Sequence, residues 1–278
     1  MIAGQETWKG HGDRKLNKEK EIAFEAARAA GVIQRKNLGN IEYVDYKSAF
    51  NLVTNVDREC EKAILDLIKS NFPEDQILAE ESGEKDGAVN RRWLIDPLDG
   101  TTNYSHAYPF FAVSIGLEQE GEMVLGVVYN AVADEMFWAI KGEGAFLNGN
   151  ALKVSGAGTL AESLLSTGFP PDTRNTGYDN MLEFKTLTSK SHGVRRDGSA
   201  ALDLCFVASG RTEGFWEMKL APWDIGAGSL IVTESGGRVS NLEGGELDIN
   251  SGHILATNGH IHDEIITCLA ELKTKSAG

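Results

Sequence analysis

Apolar residues recur every three or four positions in "EKEIAFEAARAAGVIQ", the spacing of one buried helix face, and predict a first helix of about 15–20 residues ending near Gly31. A second amphipathic run, "NLVTNVDRECEKAILDLIKSNF", places Cys60, Ile64, Leu67 and Ile68 on one side. Thr54 or Asn55 is its expected cap and Pro73 its stop, so Asp57 falls in its first turn. The short β-like runs "ILAEESGE" and "RRWLID" follow. Then come "FFAVSIGLE", "EMVLGVVYN", "EMFWAIK" and "GAFLNG", separated by Gly, Glu and Asp turns in the pattern of an antiparallel meander.

From about residue 155 the pattern changes. Strands at "SLLSTG", "GVRR" and "TEGFWEM" are set among helices expected over roughly 174–190, 199–209 and 224–235, before a strand "HILATN" and a last helix "IHDEIITCLAELK". Layered α and β with two sheets accounts for this order. A boundary near 150 divides an N-terminal α+β half, 1–150, from a C-terminal α/β half, 151–278. The opening "MIAGQETWKGHGDRKLNKEKEIAF" has charges but no apolar stretch of the kind a signal segment needs, and reads as a frayed lead into the first helix.

Composition narrows the partners. Acidic residues outnumber basic ones 41 to 27, a formal charge of −14, which argues against nucleic acid or an anionic membrane bound by charge alone. No apolar stretch reaches membrane-span length. Cys60, Cys205 and Cys268 lie far apart with no CxxC pair, so neither a zinc knuckle nor a disulfide framework is indicated; a reducing, cytoplasmic setting fits.

The stretch "WLIDPLDGTTN", residues 93–103, changes the picture most. It sets Asp96 and Asp99 three positions apart at the exit of an apolar strand, with Pro97 pinning a turn on which both carboxylates and the Leu98 carbonyl converge. Oxygen donors without His or Cys suit a hard cation, Mg²⁺ above Zn²⁺. Gly100, Thr101 and Thr102 then offer backbone N–H groups in a tight glycine turn, a place for an anion. Cations beside an anion cradle suggest a phosphate ester. "DPLDGTTNYSHA" lacks the ligand spacing of an EF-hand loop. "LDGT" also has a counterpart in aspartyl-phosphate phosphatases, whose nucleophilic Asp stands two residues before the second Asp. Here that position is Pro97, so attack by a metal-activated water is the better hypothesis.

"AEES", "WLIDPLDGTTNYSHAYPFFAVSIGL" and "APWDIGAGSLIVTESGG", in this order, resemble the metal-binding and substrate motifs of the inositol monophosphatase family, and the likeness runs from about Ile22 to the last helix. It implies a layered α/β/α/β/α sandwich of the sugar phosphatase type, two or three Mg²⁺ per site, lithium sensitivity and a homodimer. It also implies hydrolysis of a small polyol phosphate, inositol 1-phosphate first. By the same resemblance Glu80, Asp96 and the Leu98 carbonyl would hold one Mg²⁺, Asp96, Asp99 and Asp224 a second, and Glu80 would help with a looser third. Asp57 and Thr101 match the pair that orients and deprotonates the attacking water. Gly100 and Thr101, with Thr102 at the edge, match the N–H groups that hold phosphate. Glu217 in "GFWEM" matches an acceptor for inositol hydroxyls, and Gly198 and Ala200 in "DGSAALDL" match backbone facing the ring.

Relatives acting on fructose 1,6-bisphosphate, histidinol phosphate or a nucleotide phosphate stay as alternatives, as does a metal-binding regulatory protein that kept the fold and lost turnover. Of adjacent Glu80 and Glu81 only one is expected as a direct ligand, because neighbours in a strand face opposite ways. Asp203 fits a helix polar face or a local ion pair as well as a site role. "YKSAFNLVT" resembles a mobile loop beside the third metal, with Asn51 where an aspartate is frequent. Lys47 reads as a solvated loop residue. Arg195 and Arg196 could contact phosphate or a partner subunit.

Overall fold

The computed structural model describes residues 16–48, 51–170 and 179–276. The N-terminal lead and the start of the helix expected from 174 lie outside them. The chain runs α1 (Asn17–Asn37), β1 (Val44–Ser48), β2 (Asn51–Thr54), α2 (Asn55–Asn71), β3 (Gln76–Ala79), β4 (Gly83–Lys85) and β5 (Arg91–Asp99). Next come α3 (Thr101–Ser105), β6 (Ala112–Gln119), β7 (Glu122–Asn130), β8 (Glu135–Ile140), β9 (Gly144–Leu147) and β10 (Asn150–Ala151). The remainder is β11 (Leu164–Thr167), α4 (Met181–Thr188), β12 (Gly193–Arg195), α5 (Ala200–Ala208), β13 (Gly214–Glu217), α6 (Pro222–Glu234), β14 (Arg238–Ser240), β15 (Ile254–Thr257) and α7 (His262–Ser276).

Strands β10-β9-β8-β7-β6-β5-β3-β4 form one sheet, antiparallel as the meander predicts except where β3 runs parallel to β5. A second sheet, β12-β11-β13-β15-β14, begins parallel and finishes antiparallel. Helices α1 and α2 pack on the outer face of the large sheet, burying Ala23, Ala27, Ile64 and Ile68 against Trp93, Ile95 and Val113. Between the two sheets lie α5 and α6, which carry Leu202, Leu204, Ile225 and Ile231. Helices α4 and α7 cover the far side, where Trp216 and Leu255 meet Leu187 and Ile265. This is the α/β/α/β/α order. The three cysteines are buried and free, and among the described residues no helix is long and apolar enough to cross a membrane.

Two expectations are corrected. The first helix does not end near Gly31 but continues to Asn37. Gly31 is there for space: a Cβ at this position would stand 2.5 Å from Tyr129 Cε1, so the glycine lets α1 lie close on β7. Nor does the strand exit at Asp96. β5 continues through Pro97 to Asp99, and its partners shift from Ser114 opposite Asp96 to Ala112 opposite Asp99. Three steps along β5 against two along β6 make a bulge, where a proline without an N–H is tolerated. The bulge is anchored from α1, because Gln34 Nε2 donates to the Pro97 carbonyl at 2.9 Å.

Candidate active site

The bulge is what turns Asp96, Leu98 and Asp99 of β5 toward one cavity. Asp96 is buried, and its Oδ1 accepts from Leu98 N at 2.9 Å, which fixes the carboxylate over the bulge. Asp99 reaches across to the second half of the chain, where Oδ2 accepts from Ser199 Oγ and from Ala201 N, both at 2.7 Å, at the start of α5. Gly100 adopts φ +103°, and a Cβ there would meet Phe110 O at 3.0 Å and Gly198 O at 3.2 Å. Glycine is therefore needed at this turn for both conformation and space. Asn103 Nδ2 donates to the carbonyls of Phe110 and Asp197, both at 2.7 Å, and ties α3 to the loop before α5.

Asp224 sits in the first turn of α6, held by Ala221 N donating to its Oδ2 at 2.7 Å behind Pro222 at the helix start. Glu80 follows β3 in a turn rather than in a strand, its N–H pairing with Ile95 O at 3.1 Å. The strand argument for choosing between Glu80 and Glu81 thus does not apply. The turn separates them all the same: Glu80 lines this cavity, whereas Glu81 lines another on the outer face of α2.

The cavity holds about 800 Å³. Of the residues singled out from the sequence, Glu80, Asp96, Leu98, Asp99, Gly100, Thr101, Thr102, Gly198, Glu217 and Asp224 line it, while Ala200 does not. Asp57 stands behind Thr101. Its Oδ1 accepts from Thr101 Oγ1 at 2.8 Å, and its Oδ2 accepts from Thr54 N at 2.9 Å and Thr54 Oγ1 at 2.5 Å. Thr54 caps α2 in return through Val56 N, so one carboxylate serves both the helix cap and Thr101. Arg196 also lines the cavity. Asp203 is buried, with no hydrogen-bond partner for Oδ1 among the described residues, so it is no solvated polar face. The side chains of Lys47, Ser48 and Asn51 lie outside the described residues.

The electrostatics set this cavity apart. Burial, and then repulsion from Glu80, Asp99 and Asp224, pushes the Asp96 carboxyl well above the usual range. Burial likewise raises Asp224, with Asp99 the leading charge against it, and lifts Asp99 to about 6. Glu217, buried at the end of β13, is pushed up to about 8 chiefly by burial. Among the described residues no three His, Cys, Asp or Glu side chains form a ready-made cluster for a cation. The donor set nevertheless fits a hard cation: carboxylates and Leu98 line one cavity, and burial with repulsion raises the charging cost of Asp96, Asp99 and Asp224, which positive charge among them would relieve.

A consequence for stability follows. Between pH 6.5 and 8.5 the unfolded carboxylates are all ionised, while the folded chain keeps a proton on Glu217 up to about pH 8, and burial raises Asp96 and Asp224 in the same direction. Folded pKa values raised above unfolded ones give stability that is complete at low pH and lost as pH rises through the folded values. His262, held down to about 4 by burial, is neutral in the folded chain, and its unfolded counterpart, half protonated at pH 6.5, opposes the trend by only about 0.4 kcal/mol at that edge of the window. Metal-free protein in chelator is therefore expected to lose about 2 kcal/mol from Glu217 alone, roughly 4–8 °C in Tm, from pH 6.5 to 8.5. Mg²⁺ should restore most of it. Thermal melts that are flat across this window would contradict the carboxylate cluster.

Comparison with known proteins bears on what such a cavity does. The profile of the inositol monophosphatase family matches residues 15–274. An inositol-1-monophosphatase of Synechocystis sp. is 47% identical over 253 residues, covering 90% of this chain and 88% of that one. The protein of Pseudomonas aeruginosa named Nus factor SuhB is 41% identical over 255 residues, 89% of this chain and 94% of its own. The solved inositol monophosphatase of Anabaena (Nostoc) sp. superposes with a TM-score of 0.85 at 44% identity, over 92% of this chain and 96% of that one.

Proposed function

Because the chain belongs to the inositol monophosphatase family, and is accordingly a phosphoric monoester hydrolase, we propose that it hydrolyses the phosphate monoester of a small polyol, inositol 1-phosphate first, with Mg²⁺. The observation that carries this reading is the shared cavity. Glu80, Asp96, Asp99, Thr101, Glu217 and Asp224 all line it, and Thr101 donates a hydrogen bond to Asp57 behind it. Glu80, Asp96, the Leu98 carbonyl, Asp99 and Asp224 would hold two or three cations. Bound there, Mg²⁺ supplies the positive charge that lowers the pKa of a water and offsets the charge of the phosphate.

The chain's own residues do the rest. Thr101 Oγ1 donates its hydrogen bond to Asp57 Oδ1 and turns its lone pairs to a water; as it takes that water's proton, its own passes to the Asp57 carboxylate. Thr54 holds Asp57 from the far side, so the carboxylate cannot turn away. Backbone N–H groups of Gly100, Thr101 and Thr102, at the start of α3 where first-turn donors lack helical partners, would bind phosphate oxygens. Glu217 would accept hydrogen bonds from polyol hydroxyls, with the backbone of Gly198 and Ala200 beside the ring. The departing alkoxide takes its proton from water. Pro97, occupying the bulge, offers no nucleophile for a covalent route.

Phosphate release measured with Mg²⁺ over a panel tests the substrate. The expected order of kcat/KM puts inositol 1-phosphate above fructose 1,6-bisphosphate, histidinol phosphate and nucleotide monophosphates, and millimolar Li⁺ is expected to inhibit. A panel led by any of the others would overturn the inositol assignment. No release from any substrate would overturn the hydrolytic reading of this cavity.

A further inference from the structure

Glu217 ends β13, and the parallel register that sets Thr167 opposite Trp216 brings the next residue of the other chain segment, Gly168, beside it. A methyl group built on Gly168 would overlap the Cδ and both carboxylate oxygens of Glu217, its three nearest atoms. Gly168 is not among the glycines with left-handed φ, so the backbone there does not require glycine. The space does: the Glu217 carboxylate lies flat against the bare Cα.

That floor is fixed. Asn180, buried, donates from Nδ2 to the Gly168 carbonyl at 2.7 Å and to Thr167 Oγ1 at 2.8 Å. Its Oδ1 accepts from Trp216 Nε1 at 2.6 Å, and since an indole nitrogen only donates, the amide can be oriented in one way. Thr167 Oγ1 in turn donates to the Trp216 carbonyl at 2.5 Å. The residues preceding Gly168 and Glu217 on the two strands are thereby joined through one buried amide. Gly168 is no more able to retreat than Glu217 is to sink deeper.

We propose that Gly168 is a positioning residue that sets specificity for polyhydroxylated alcohols. By carrying no side chain it lets the Glu217 carboxylate rest beside the end of β11, a place from which any larger residue would displace it. The inference rests on the reading of Glu217 as the acceptor for polyol hydroxyls. Gly168 itself does not line the cavity, so its effect belongs in KM for the alcohol and not in the chemical step.

The test is a double-mutant cycle of Gly168→Ala and Glu217→Ala, assayed with inositol 1-phosphate and with 4-nitrophenyl phosphate, which has no hydroxyls for Glu217. Gly168→Ala is expected to raise KM for inositol 1-phosphate about tenfold more than for the nitrophenyl ester, the scale of one displaced charged hydrogen bond, with kcat changed little. In the Glu217→Ala background, where the methyl group fills vacated space, it should add almost nothing. An equal effect on both substrates, or an equal cost in both backgrounds, would overturn the proposal, as would a failure of both Gly168→Ala and the double variant to fold. If Glu217→Ala raises KM for inositol 1-phosphate and Gly168→Ala does not, the inference alone fails. If Glu217→Ala leaves that KM unchanged, the reading of Glu217 fails and takes the inference with it.

Discussion

Asp96→Asn is expected to lower kcat/KM by about three orders of magnitude, roughly 4 kcal/mol, while leaving the fold intact. The substitution is nearly isosteric. An asparagine Oδ1 can still accept from Leu98 N, so the bulge in β5 keeps its internal hydrogen bond. What disappears is the negative charge on which the site converges, since Glu80, Asp99 and Asp224 all act on Asp96. The same loss should leave metal-free protein at pH 8 as stable as the parent or more so, because a buried, repelled carboxylate is expensive to ionise and an amide is not. Activity and metal-free stability thus move in opposite directions. Phosphate release at saturating Mg²⁺ and thermal melts in chelator read the two effects, and near-parental activity in this variant would remove Asp96 from the proposed metal site.

Much of that site was legible because its parts are neighbours in sequence: Asp96, Leu98, Asp99 and Gly100 fall within five residues, and short range is what local stereochemistry governs. What joins them to the rest was not. Asp99 meets Ser199 a hundred residues later, Thr101 meets Asp57 across 44, and Gln34 anchors Pro97 across 63. Such contacts are made by sheet order and helix packing, which the periodicity of one segment does not encode; the family resemblance, not the spacing, paired Asp57 with Thr101. The misread boundaries have one cause. In sequence Gly31 reads as a helix end and Pro97 as a turn, yet each sits where tertiary structure overrides its local preference, the glycine under Tyr129 and the proline in a bulge. Gly168 is silent in the sequence for a related reason. A residue without a side chain carries no chemistry of its own, and its meaning lies in what occupies the space it leaves.

Thr101→Ala is expected to reduce kcat by about 10²–10⁴, the range for a lost general base, with KM little changed because the backbone N–H at 101 is retained. Asp57→Asn should match it in rate and lose stability as well. Its two carboxylate oxygens accept from Thr101 Oγ1, Thr54 N and Thr54 Oγ1, and an amide turned to keep one side must present an N–H to a donor on the other. Loss of the capping box at α2 adds about 1 kcal/mol to that cost. Thr54→Ala separates the two duties of Asp57. It removes the cap on Val56 N and one hydrogen bond to Oδ2 but leaves Oδ1 available to Thr101. Its melting temperature should therefore fall while kcat drops far less than in Thr101→Ala. A Thr54→Ala variant as inactive as Thr101→Ala, or a Thr101→Ala variant with parental kcat, would mean that the hydrogen bond between Thr101 and Asp57 only braces the end of α2 against α3 and prepares no water for attack.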